Sequence, residues 1–113
     1  MSESGEVRRN SLPNRRQHEV YRFESQGQTY IGGVGRYGDG SIAELFLNAT
    51  KAGSTIEAMA QDAAIVASLA LQFGCPLDVL RHAIERSGDS AGPLAALLDE
   101  VSRADQAKMI EAE

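Results

Sequence analysis

The chain has 113 residues, 42% hydrophobic and 24% charged, with a formal net charge of −5. That is one small domain, able to bury a single core and too short for a large multi-part active site. There is no long apolar run or signal-like start, so the expected setting is the cytoplasm and a membrane-spanning class is excluded; the lone Cys75 excludes an internal disulfide and a Cys-x-x-Cys pair, and cannot build a thiolate zinc cage.

Charge is uneven, with +2 over residues 1–22 and −7 over the rest. Nucleic-acid binding rests on cations that neutralise phosphates, so the acidic body argues against such a partner. Two arginine pairs, Arg8-Arg9 and Arg15-Arg16, fall short of a basic patch and read first as a solvated arm or as intramolecular ion pairs.

Residues 1–13 show no apolar periodicity and read as a flexible tail. A single domain over 14–102 follows, then a polar tail over 103–113 that is expected to fray. "HEVYRFES" alternates, with Val20 on one face and Tyr21 and Phe23 on the other; "GQTYIGGVGRY" follows after a Gln26-Gly27 turn signal, giving a β-hairpin. Asp39-Gly40 supplies a second turn before "SIAELFLN", whose Ala43, Leu45 and Leu47 share a face at period two. Together these segments form a three-stranded antiparallel meander.

Ser54 and Glu57 have the spacing of a capping box, which starts a helix running to Phe73. From Ile56 onward this helix is apolar on almost every side, the pattern of a buried helix, with small residues that allow close approach to the sheet. Gly74 fits a left-handed helix end and Pro76 a helix start, placing Cys75 in a connector. The second helix presents Leu77, Leu80 and Ile84 on one stripe, and the third, after Pro93, presents Leu94, Leu97, Leu98 and Val101. The fold class is therefore α+β, in the order β-β-β-α-α-α, with the helices packed on one face of the sheet. Its two sheet edges and its other face, to which Tyr21, Phe23, Ile42 and Phe46 are assigned, point to a homodimer.

The chemistry-bearing residues are sparse. Gly33, Gly35 and Gly38 satisfy G-x-G-x-x-G, yet a strand rather than a helix follows, so close packing or a bulge explains them better than a bound phosphate. Cys75 lacks a local base, because His82 lies off the apolar stripe and faces water near Asp78; an inert, buried thiol is the reading. His18, His82 and Cys75 share no ligand spacing, so no metal site is expected. Glu44 is read as a partly buried carboxylate paired with Arg36 or Arg22, and Ser68 as bonded to a carbonyl one turn back in its helix.

Leu12-Pro13-Asn14-Arg15-Arg16, Asp39-Gly40 with Ala43-Glu44-Leu45-Phe46, and Ser68-Leu69-Ala70-Leu71-Gln72-Phe73-Gly74-Cys75-Pro76 resemble the TSCPD domain family, over Leu12 to about Val101. Such domains occur at the C-terminal end of cobalamin-dependent ribonucleotide reductases and as small stand-alone proteins. The Cys-Pro-Asp segment that gives the family its name is absent near the end of this chain. With one cysteine the chain cannot be a complete reductase. The resemblance implies a stand-alone accessory or regulatory module of deoxyribonucleotide synthesis that binds a reductase chain or a nucleotide. It would hold no cofactor of its own, cobalamin entering only through the partner. Arg15, Arg16, Gly33, Gly35 and Arg36 are the candidate binding residues, with no catalytic residue assigned. The competing functions are a ligand-binding module unrelated to a reductase, using the glycine-rich strand, and an enzyme with Cys75 as nucleophile.

Overall fold

A computed structural model describes residues 8–14, 17–51, 53–85 and 91–112. Its elements are β1 (Gln17–Ser25), β2 (Gln28–Arg36), β3 (Ile42–Ala49), α1 (Thr55–Gln72), α2 (Leu77–Ala83) and α3 (Pro93–Ala112). The strands form one antiparallel sheet in the order β1-β2-β3. The expected α+β class and element order hold, and Arg15 and Arg16 lie outside the described residues.

The β1–β2 turn consists of Gln26 at φ +52° and Gly27 at φ +79°. Two consecutive left-handed residues match the twist of a two-residue hairpin and pin Ser25 opposite Gln28. That register puts Tyr21, Phe23, Tyr30, Val34, Leu45 and Leu47 on one face, which α3 covers with the buried Leu97, Leu98 and Val101. The other face carries His18, Val20, Arg22, Ile31, Gly33, Gly35, Glu44 and Phe46. Tyr21, Phe23 and Ile42 therefore pack with the core, and only Phe46 of the four aromatic and aliphatic residues assigned to the second face lies there. A bulge between Gly35 and Arg36 leaves Ala43 as the extra residue of β3 and lets Ala43, Glu44 and Leu45 all be buried.

α1 starts as its sequence indicates. The Ser54 hydroxyl accepts the Glu57 N–H at 3.0 Å, and the Glu57 carboxylate accepts the Gly53 N–H at 2.8 Å. It ends in a Schellman motif, in which the Cys75 N–H bonds to the Ala70 carbonyl and the Gly74 N–H, at φ +103°, to that of Leu71. The expectation of burial on every side fails. α1 lies along β3 and buries Ala60, Ala64, Ala67, Ser68 and Gln72, while Met59, Ile65 and Val66 are each more than half exposed. Small side chains set close approach, so this helix packs through its least bulky stripe and turns its bulk outward.

The position of α1 also closes a sheet edge. The Ser68 hydroxyl accepts the Leu45 N–H at 2.8 Å and lies 3.2 Å from the Leu45 carbonyl and 2.7 Å from that of Ala64. Beside it, the Gln72 amide donates to the Ala43 carbonyl at 2.9 Å. These side chains occupy backbone groups that a fourth strand would otherwise pair, so the β3 edge is not free as the sequence suggested. Gln72 is held in turn by Arg9, and its carbonyl accepts the Asn10 N–H at 2.7 Å.

α3 extends well past Ser102, through Ala112, instead of fraying. Its outer turns are tied to the sheet by Asp105 and Lys108, which reach Arg36 and Glu19.

Candidate functional site

The open sheet face is built by the strand register. His18, Gly35 and Glu44 form one row across it; Val20, Gly33 and Phe46 form the next. A Cβ on Gly35 would stand 2.6 Å from a Glu44 carboxylate oxygen, and one on Gly33 would stand 2.7 Å from the Glu19 carbonyl. Both positions need glycine for close packing, which is the structural explanation favoured for the G-x-G pattern.

Over this floor the imidazole of His18 lies 5.7 Å, centroid to centroid, from the ring of Phe46, and its Nε2 is 3.4 Å from a Glu44 oxygen. The expected Glu44 pairing with Arg36 or Arg22 is not formed. Arg36 points to the opposite face, and Arg22 sits two rows away beside Ile31 and Asn48. A histidine oriented by a carboxylate is the base half of a nucleophilic site, and among the described residues no hydroxyl or thiol bonds to His18.

Arg36 is separated from Gly33 and Gly35 by the sheet itself. Its guanidinium grips Glu19 through two bonds of 3.0 Å, reaches Asp105 at 2.9 Å and donates to the Gly40 carbonyl at 2.8 Å. The guanidinium, helped by the Tyr21 hydroxyl and Lys108, holds the Glu19 carboxyl down at about 2. Burial, and then the Glu19 charge, push the Tyr21 phenol up to about 12. This network fastens β1, β2 and α3 together, and Arg36 has its charge matched by two carboxylates.

Cys75 is half-buried at the α1–α2 junction rather than sealed in the core, its sulfur 3.6 Å from the Pro76 carbonyl. His82 faces solvent as expected, but its neighbour is Glu85, at 3.3 Å, rather than Asp78. Among the described residues no group of three or more His, Cys, Asp or Glu side chains is placed to hold a metal ion, and no helix is long and apolar enough to cross a membrane.

A groove of about 380 Å³ between α1 and α3 is lined by Tyr30, Ile56, Met59, Ala63, Ile84 and Leu94, among others. Among the described residues its lining is almost wholly apolar, which suits an apolar group better than a nucleotide phosphate. Sequence reasoning missed it because its walls come from elements far apart in the chain. It missed the His18–Glu44–Phe46 cluster because the registers of two strand pairs together decide which residues of β1 and β3 meet across β2.

The chain is 40% identical over 70 residues to the vitamin B12-dependent ribonucleotide reductase of Agrobacterium fabrum, covering 62% of this chain and 6% of the relative. It is 37% identical over 73 residues to the enzyme of that name in Rhodopirellula baltica, covering 65% and 7%, and 33% identical over 70 residues to that of Bradyrhizobium diazoefficiens, covering 62% and 6%. The chain thus spans less than a tenth of the length of these relatives. No family model and no solved structure matches it.

Proposed function

We propose that the chain is an accessory or regulatory module of ribonucleotide reduction, in the manner of a TSCPD domain, which acts by binding a vitamin B12-dependent reductase and not by catalysis of its own. The observation that carries this reading is the identity of 33–40% to three such reductases over 62–65% of this chain. The matched segment is 6–7% of the length of those enzymes. Cobalamin belongs to the partner, and the shared setting is the cytoplasm. Arg15 and Arg16, the concentrated positive charge beside an acidic body, supply contact to the partner or to a phosphate.

Calorimetric titration of the chain into a purified vitamin B12-dependent reductase tests this. Saturable binding is expected, weakened when Arg15 and Arg16 are both replaced by Ala while the melting temperature stays nearly unchanged. Absence of binding to the reductase, together with saturable binding of a nucleoside diphosphate by the chain alone, would contradict the docking reading and favour the ligand-binding one.

A further inference from the structure

Among the described residues no element packs over the outward side of α1. Met59, Asp62, Val66, Leu69 and Phe73 recur along it at spacings of three and four, the seam spacing of a two-helix contact. Met59 and Val66 are about two-thirds exposed, Phe73 nearly half. α1 contains only two charged residues, and one of them, Glu57, is occupied at the helix start, which leaves Asp62 as the single charge on the outward face. A helix face that met water permanently would carry charges along its whole length of roughly 27 Å. With Ile56 and Ile65 added, the patch reaches the roughly several hundred Å² that monomers rarely leave open. It also runs on to the sheet, because Ile65 and Phe46 line one shallow groove.

We infer that this face of α1 is the interface between two copies of the chain, packed as antiparallel helices about a two-fold axis at Val66. The face is complementary to itself in that arrangement. Val66 meets its own copy, and Met59 meets Phe73 of the other copy twice over, a favourable sulfur–aromatic contact. Asp62 falls beside Ala70 of the other copy, so no like charges are brought face to face. A partner chosen by charge would leave a matching charge pattern on this face, and only Asp62 is there. The sheet edges are not needed, since Ser68 and Gln72 already occupy that of β3.

Sedimentation equilibrium of the chain alone, from low micromolar to submillimolar, tests this independently of any reductase. The expected species is twice 12.1 kDa. Val66→Arg places two guanidinium groups at the axis and should weaken self-association by about a hundredfold or more. Because Val66 is exposed, the far-ultraviolet circular dichroism of the variant should be unaltered. In a Cys75→Ser background, Val66→Cys should cross-link to its copy on oxidation, and Val79→Cys, exposed on α2, should not. A monomer over the whole range, a dimer indifferent to Val66→Arg, or equal cross-linking at position 79 would each overturn the inference. So would loss of reductase binding by Val66→Arg in a chain that is otherwise monomeric, which would assign the face to the reductase.

Discussion

Glu19 carries the clearest electrostatic consequence. Its carboxyl titrates at about 2 in the fold against an ordinary value of 4.5, chiefly because Arg36 bonds the ionised form. Folding therefore favours the charged group; the stabilisation is complete above about pH 4.5 and is lost as pH falls toward 2. Glu19→Gln should be less stable than wild type at neutral pH and should lack most of the stability decline over that acid window, as read by denaturant midpoints at a series of pH values. Ser68 has the opposite character, a neutral group whose value lies in position. Ser68→Ala leaves the Leu45 N–H buried without its acceptor, so a loss of about 1–3 kcal/mol is expected in equilibrium unfolding. A loss within error of zero would mean that the β3 edge finds another partner.

Among the elements, local signals were readable and orientation was not. The Gln26-Gly27 and Asp39-Gly40 turns, the Ser54–Glu57 cap and the Gly74 helix end each depend on residues close in sequence, and all formed where their chemistry placed them. The outward bulk of α1 was not readable, because periodicity is uninformative in a helix apolar on every side, and the deciding feature is that Ala60, Ala64 and Ala67 fit β3 more closely than Ile65 or Val66 would. Arg36 and Glu44 were mispaired because the register across the turn between β2 and β3, which sets Glu44 opposite Gly35 and therefore on the face away from Arg36, is not fixed by either strand's own period-two pattern. The sheet and α3 meet just as closely at Gly32, where an added Cβ would stand 2.8 Å from a methyl of the fully buried Leu97. Gly32→Ala should cost about 1–3 kcal/mol through overpacking, and a smaller variant at position 97, Leu97→Ala, should relieve part of that cost in a double-mutant cycle.

At the level of the whole molecule, the described residues form a closed core with an exposed apolar surface that runs from α1 to Phe46 on the sheet. Exposed hydrocarbon on this scale marks a surface for contact. In its relatives the similar segment is 6–7% of the chain, so the test is whether this chain can replace that segment. In the Agrobacterium fabrum reductase the aligned 70 residues would be exchanged for the corresponding residues of this chain, with a deletion of the same segment as reference. Turnover of ribonucleotide by the exchanged enzyme should lie near wild type and well above that of the deletion. A folded chimaera with turnover no better than the deletion would contradict the assignment of this chain to ribonucleotide reduction.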